Sequence, residues 1–420
     1  MKTYREPARD VPVADAASVA VAGGGLAGVV AAVAAGRNGA DVLLFESSGV
    51  LGGTATAGLM TSFNGFRNEK PPCDLQTVKG IAQEIVDRLI AAGGACGRTA
   101  HGDWGELRPG AAPYAVSFDP EALKMVALSL LREAGVQLRL HTFVAGAVVE
   151  DGLLKAIITE SKGGRQAVEA KVTVDATGDG DVAARAGAPV MQAGPDDAHL
   201  MGVNLMYRVA GVAPERFEKA WLSIGRMATI WGPGRRGVEG TDPAAVTEAH
   251  AGAMAELPAH LARLRAEPGF EDCYLAQSAA HLGVRETRRI VGEYVLTEQD
   301  AVSGRRFEDV IAISSNPVPA YYGKRLFFAH EGFDVPYRCL VPLKVDGLIL
   351  AGRCISAEQV PFQSARSMAP LMAIAQASGT AAELCVRRGV QPRRLDVREL
   401  QRALLAQGAE LRMKPSGAPA

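Results

Sequence analysis

Net charge is almost absent from this chain. Its 45 Lys+Arg against 46 Asp+Glu leave −1 over 420 residues. No basic excess is present to hold nucleic acid, and no like-charge tail is visible. The six cysteines (Cys73, Cys96, Cys273, Cys339, Cys354, Cys385) form neither a CxxC pair nor a zinc-like spacing. A reduced, cytoplasmic protein without a metal site is the plain reading. Long apolar runs are also missing near the start: the longest, residues 29–35, is far short of a membrane span. Residues 1–18 mix charge, proline and small residues without the apolar core of a signal peptide. The apolar share of 48% and charged share of 22% are ordinary for a globular protein. At this length one ordinary core does not suffice, so two interleaved domains are expected.

What the chain does have is a nucleotide-binding pattern in residues 19–46. Val19-Ala-Val-Ala-Gly23-Gly24-Gly25-Leu26-Ala27-Gly28 leads into an Ala/Val-rich stretch and then Asp41-Val-Leu-Leu-Phe-Glu46. This reads as a strand, a glycine turn, a helix and a second strand ending in a carboxylate. Gly23 permits the tight turn, Gly25 lets backbone approach a pyrophosphate, and Gly28 lets the helix pack close to the strand. The helix start at Leu26 and Ala27 offers free N–H groups and a positive dipole end to phosphates. Glu46, followed by Ser47, is placed to accept from a ribose 2′- and 3′-OH, which favours an adenosine without a 2′-phosphate.

The following Gly52-Gly53-Thr54-Ala55-Thr56-Ala57-Gly58-Leu59 is too rich in small residues for a regular element and suits backbone lying against an extended ligand. Residues 61–118 are expected to be an inserted helical segment, with helical periodicity over 78–92. Asp119-Pro120-Glu121 is a helix start, running to about Ala134. Short strands are expected at 136–140, 144–150, 153–160 and 167–174, the last ending in Asp175-Ala176-Thr177-Gly178-Asp179-Gly180-Asp181. Asp179 and Asp181 lack a third ligand for a metal and read as a turn and helix cap. A long helix is expected from Thr241-Asp242-Pro243 to roughly Arg265, then strand-like segments around 284–296 and 309–313. The nucleotide pattern returns in Leu348-Ile-Leu-Ala-Gly352-Arg353 and in a small-residue helix from about Ser367 to Val386. The expected fold class is α/β: a Rossmann-like nucleotide domain assembled from discontinuous segments (16–60, 119–186 and 337–400), with an inserted α+β substrate domain at 187–336. Residues 401–420 are expected to be a C-terminal helix and tail.

Five segments, in this order, resemble the FAD-dependent oxidoreductases of the glutathione-reductase structural type. They are Gly23–Gly28 with Glu46, the stretch from Gly52 to Leu59, Asp175 to Asp181, Gly283-Val-Arg285-Glu-Thr-Arg288-Arg289-Ile-Val-Gly292, and Leu350-Ala-Gly-Arg353-Cys354-Ile-Ser356 with its helix. The resemblance is closer to a bacterial branch distantly related to the fumarate reductase and succinate dehydrogenase flavoproteins. It implies FAD as cofactor. Gly52, Gly53, Thr54 and Ala55 would lie along the pyrophosphate, ribityl chain and flavin; Val144 would face the adenine. Ala176, Thr177 and Gly178, with Asp181, would close over the adenosine side. Gly352 and Arg353 would sit by the ribityl chain and flavin edge, and Ser367 and Met368 by the flavin N1–C2=O. The chain departs from aromatic hydroxylases in having Gly352-Arg353 where they place Gly-Asp, from disulfide reductases in lacking CxxC, and from pyridine-nucleotide-coupled enzymes in lacking a second glycine-rich turn.

The expected activity is transfer of a hydride between a small organic substrate, with a carboxylate as the group arginines would hold, and flavin N5. An oxidase or hydroxylase using O2, or a flavin-binding subunit of a larger redox complex, is the alternative. On a strand, Arg285, Thr287 and Arg289 would share one face and Glu286 and Arg288 the other. Guanidinium groups grip carboxylates in a bidentate fashion, which makes Arg285 the first choice for a substrate anchor and Arg288 the second. The bland alternative is a salt-bridged strand with Glu286 pairing Arg288. His281 has the chemistry of a general acid or base, although structural histidines are commoner; His141 reads as structural. Cys354 reads as a small buried hydrophobe. Phe63, Phe66, Tyr207, Trp221, Trp231 and Tyr337 are candidates for pocket walls, with core packing the default for each. The expected partners are a small-molecule substrate and an unidentified electron acceptor, with no nucleic acid, no membrane and homo-oligomerisation left open.

Overall fold

The computed structural model describes residues 3–4, 8–68, 75–98, 104–105, 115–194, 200–213, 223–224, 227–321, 324–329 and 331–413. The chain opens with β1 (Val13–Ala22), α1 (Leu26–Arg37) and β2 (Val42–Phe45), as the glycine pattern requires. Next come β3 (Ser62–Asn64), α2 (Ile81–Ala91), β4 (Ala95–Arg98), β5 (Trp104–Gly105) and β6 (Ala115–Phe118). The run from α3 (Pro120–Glu133) continues through β7 (Gln137–Arg139), β8 (Phe143–Glu150), β9 (Leu153–Ser161), β10 (Gly164–Asp175) and the short α4 (Asp181–Arg185). Then follow β11 (Val190–Gln192), β12 (Val203–Ala210), β13 (Ser223–Ile224), β14 (Met227–Arg235), α5 (Pro243–Arg265), β15 (Tyr274–Ser278) and β16 (Arg288–Ile290). The chain closes through β17 (Val310–Ser314), β18 (Phe333–Pro336), β19 (Leu348–Leu350), α6 (Gln359–Ala365), α7 (Met368–Arg388) and α8 (Val397–Ala406).

The central sheet runs β7-β2-β1-β10-β9-β8, with β19 also on β10. β7, β2, β1, β10 and β19 are parallel neighbours, while β9 and β8 turn back antiparallel. A parallel sheet covered on both faces wants apolar strands without alternation, and Val19 to Ala22 are wholly buried. Helix α1 is buried from Leu26 to Ala35, which its Ala/Val/Gly composition allows because little side chain separates it from its neighbours. Helix α7 lies against it so closely that a Cβ on Gly379 would stand 2.0 Å from the Ala31 carbonyl oxygen. A second sheet, β13-β14-β12-β15, is antiparallel and flanked by α5.

Local signals set the helix starts where expected. The Asp119 side chain accepts from the Glu121 amide at 3.0 Å and the Asp242 side chain from the Ala244 amide at 2.9 Å, each with proline at the first helical position.

Two expectations need correction. Residues 61–118 do contain helix α2, but they also form a four-stranded antiparallel sheet, β3-β6-β4-β5. The stretch 284–296 is not a continuous strand. Only Arg288–Ile290 forms a strand, on β11; Gly292 and Leu296 make single bridges to Pro342 and Ala357, and the backbone of 284–287 is unpaired, because strand identity depends on a neighbour rather than on β-branched residues alone. Arg285, Thr287 and Arg289 therefore do not present one sheet face.

Candidate active site

The turns that follow β1, β2, β10 and β19 converge on one cavity of about 1060 Å³, where an open α/β sheet places its ligands. Gly23 has φ +102°, and a Cβ there would meet the Ala176 carbonyl oxygen at 2.5 Å. Gly28 is tighter still: its Cβ would stand 1.7 Å from the Gly23 carbonyl oxygen, so helix and turn touch through backbone. Gly25 is the opposite case. Nothing lies within 4 Å of where its Cβ would be, and it lines the cavity. It caps α1 without a side chain, and the first helical bond runs from the Val29 amide to the Gly25 carbonyl at 2.9 Å. The amides of Leu26 and Ala27 thus open on the cavity that both residues line.

Glu46, with Ser47, stands on the same wall. Its Oε2 accepts from the Gly24 amide at 2.8 Å and its Oε1 from the Ser48 amide at 2.7 Å, so the carboxylate is oriented by the turn it faces. The small-residue stretch is drawn in by the Gly52 amide, which donates to the Gly24 carbonyl at 2.9 Å. Gly52, Gly53, Thr54 and Ala55 all line the cavity, as do Val144, Ala176, Thr177, Gly178 and Asp181. The turn after β10 is organised by Asp175, whose buried carboxylate accepts from the Thr177 hydroxyl at 2.7 Å and from the amides of Thr177 and Ala183 at 3.1 and 2.9 Å. Burial pushes that carboxyl upward and the hydrogen bonds oppose the shift. Sequence reading quoted Asp175 within the motif but gave it no role.

Gly352, Arg353, Ser367 and Met368 complete this wall. Arg353 pairs with Asp179 at 2.5 Å and donates to the Val284 carbonyl at 2.9 Å. Ser367 caps α7 without using its side chain on the helix; its hydroxyl instead accepts from Asn316 Nδ2 at 2.7 Å. A second uncapped helix start therefore faces the cavity, with its positive dipole end available to an electron-rich group.

His281, Arg285, Trp231 and Asn204 line the cavity too. Arg285 donates to the Gly202 carbonyl and to Asn204 Oδ1 (2.7 Å), and lies 5.3 Å from the Trp231 ring centre. Burial lowers its guanidinium from the usual arginine value. Arg288 does not join them. Its guanidinium is tied to Asp181 and to the Asp179 carbonyl (2.9 Å), so it braces the turn after β10, and the Glu286–Arg288 pairing is not made. Glu286 instead faces Arg289 at 3.5 Å and accepts from Gln359 at 2.7 Å. Among the aromatic candidates only Trp231 reaches the cavity wall. Phe63 stacks on Phe118, Phe66 is fully buried, Tyr207 bonds His260, and Tyr337 donates to the Pro392 carbonyl; Trp221 lies outside the described residues. Cys354 is buried, with its thiol pushed well above the ordinary range.

Lining residues that the sequence did not mark include Asn316, Gln363, Arg366 and Arg236. Arg366 is the most consequential. Burial, then the charges of Arg285 and Arg353, push its guanidinium down to about 9, while Glu286 acts in the other direction. No signal beyond its position next to Ser367 marked it.

A parallel sheet with glycine turns at the mouth of a cavity that a Cβ at Gly25 would invade defines a dinucleotide-binding protein. A sequence model of the family described as "FAD dependent oxidoreductase" matches residues 18–228 and 212–404, and the chain belongs to that family. It is an FAD-dependent enzyme, and FAD is its cofactor. No curated sequence matches the chain. Among solved structures, it is similar to the p-nitrophenol 4-monooxygenase PnpA from Pseudomonas putida, at 14% identity and TM-score 0.50, over 96% of this chain and 88% of that one. It is also similar to a geranylgeranyl bacteriochlorophyll reductase-like protein from Thermoplasma acidophilum, at 14% identity and TM-score 0.46, over 94% and 87%. At such identity the first likeness speaks for the fold alone. Among the described residues no helix is long and apolar enough to cross a membrane.

Proposed function

We propose that the chain is a dehydrogenase or reductase that moves a hydride between a small organic substrate and N5 of its FAD. The observation that carries this reading is that one cavity is lined both by the nucleotide motif at Gly25 and Glu46 and by Arg285 and His281. Bound FAD supplies the two-electron chemistry, and the polypeptide binds it, orients it and aims the substrate.

In this reading Gly23, Gly25, Leu26 and Ala27 hold the pyrophosphate, Gly28 secures the helix behind them, and Glu46 with Ser47 takes the ribose. Gly52 to Ala55 follow the extended cofactor, and Val144, Ala176, Thr177, Gly178 and Asp181 enclose its adenosine half. Gly352, Arg353, Ser367 and Met368 border the flavin. Arg285 anchors the substrate, and His281 moves a proton at it. Arg288 takes no part in the chemistry and holds the turn that carries Asp181. The segments 16–60, 119–186 and 337–400 are assigned to the FAD-binding domain and 187–336 to the substrate domain, with 61–118 as an inserted segment.

Anaerobic addition of candidate substrates to the yellow holoenzyme, followed in the visible flavin band, tests the proposal. Bleaching that persists until an acceptor is added supports a dehydrogenase or reductase. Immediate reoxidation by air with release of peroxide would turn the assignment to an oxidase. Bleaching that appears only with a second protein present would make the chain a redox subunit.

A further inference from the structure

The acids on the cavity wall are all matched. Glu46 is held by two amides, Asp179 by Arg353 and the Thr287 hydroxyl, and Asp181 by Arg288. Two of the arginines on that wall are not matched by acids. Arg285 spends its hydrogen bonds on the neutral oxygens of Gly202 and Asn204. Arg366 lines the cavity with its Nε buried and without a hydrogen-bond partner, and no carboxylate pairs with it among the described residues. Glu286, the acid whose charge it feels, is already engaged by Arg289 and Gln359.

A partly buried guanidinium whose Nε is shut from water without a partner, with no counter-charge and in the field of two others, is an unfavourable arrangement unless an anion completes it. Its planar fork of donors fits a carboxylate better than any neutral group. The neighbouring start of α7 adds positive potential at the same place. Trp231, stacked on Arg285, gives an apolar wall for the rest of such a ligand.

We propose that Arg366 and Arg285 form a carboxylate-binding subsite, so that the substrate class of this enzyme is organic acids held by at least one carboxylate. This rests on the flavoenzyme reading of the same cavity. Arg366 is the principal anchor because its donors are uncommitted, and Arg285 is the second arm, already aligned by Asn204.

The test uses the FAD-loaded protein and two matched pairs of probes: succinate against succinamide, and benzoate against benzamide. Binding is read from perturbation of the visible flavin spectrum and from calorimetry. The carboxylates should bind saturably and the amides should bind at least about tenfold more weakly, the loss expected for charge-assisted hydrogen bonds. Arg366→Gln should stay yellow and lose about tenfold or more in succinate or benzoate affinity, with Arg366→Lys in between. A yellow wild-type protein that binds none of the carboxylates, or binds amides equally well, overturns the subsite while leaving the flavoenzyme reading intact. Loss of FAD from Arg366→Gln with carboxylate affinity unchanged on reloading also overturns it, because Arg366 then serves the cofactor. A wild-type protein that takes up no FAD sinks both. The comparison of acid and amide needs no variant, so misfolding of Arg366→Gln does not blunt the test.

Discussion

The Gly24 amide donates to Oε2 of Glu46 across 2.8 Å, which makes the glycine turn and the acid at the end of β2 one mechanical unit. The acid is buried and aimed at the cavity wall rather than swinging in solvent. Glu46→Gln keeps the size but removes the charge and turns one acceptor into a donor. FAD affinity should fall by about 1–3 kcal/mol, as for a lost charge-assisted hydrogen bond. Fluorescence titration of apoprotein with FAD measures this, and equal affinities would remove Glu46 from the ribose.

Two glycines at the start of α1, Gly25 and Gly28, should fail differently. Gly25→Val points into open cavity, so the protein should fold and stay colourless. Gly28→Ala drives a methyl into the Gly23 carbonyl, so it should lose about 1–3 kcal/mol or more of stability through overpacking. Thermal melts of the apoproteins, read beside flavin content, separate the two. A yellow Gly25→Val protein would contradict the pyrophosphate placement.

Arg285→Ala and Arg288→Ala should also part company. The first should remain yellow yet be reduced more slowly by substrate, at a stability cost of about 1–3 kcal/mol for the Gly202 and Asn204 oxygens left unpaired. The second loosens the turn that carries Asp181 and should weaken FAD retention without a specific effect on the reductive step. Stopped-flow reduction of reloaded holoenzyme distinguishes them; identical rate constants for wild type and Arg285→Ala would exclude Arg285 from the substrate.

Acid should weaken the clamp between α2 and α3 only as the pH falls well below the ordinary carboxylate range. Arg88 bridges Glu84 at 2.8 Å and Glu133 at 2.6 Å, and Arg37 reaches Glu84 from α1 at 2.6 Å. The hydrogen bond from Arg88 holds the Glu133 carboxyl down to about 2, from an ordinary 4.5, and the one from Arg37 lowers Glu84. A depressed folded value means that the stabilisation is complete above 4.5 and fades as pH falls towards 2. Glu133→Gln should therefore melt below wild type at neutral pH, with the gap narrowing under pH 4.5. A gap independent of pH would show that the ion pair is not its source.

The parts of the fold legible in the sequence are those decided locally. The Gly23–Gly28 turn and the Asp-Pro starts at Asp119 and Asp242 depend on neighbours within a turn, and each lies where expected. Strand identity at 284–296 depends on whether β11 is there to pair, and it accepts only Arg288–Ile290. The sheet within 61–118 is likewise built by partners far apart in sequence. Arg366 was missed for a similar reason. Nothing near it distinguishes a solvated arginine from one enclosed by the loop at Arg285 and the turn at Arg353, and only the tertiary fold brings those three charges together. Conversely, Arg288, second to Arg285 on the sequence, is taken up by Asp181, which only the fold brings beside it.

Strand β19 enters the central sheet beside β10, although most of the polypeptide separates it from β1. Gly352, Arg353 and the beginning of α7 ride on that late arrival. With the flavin placed as proposed beside those residues, the protein has to be almost fully synthesised before it captures its yellow ligand, so a fragment ending ahead of Leu348 should emerge from the ribosome colourless, however well its first glycine turn has formed.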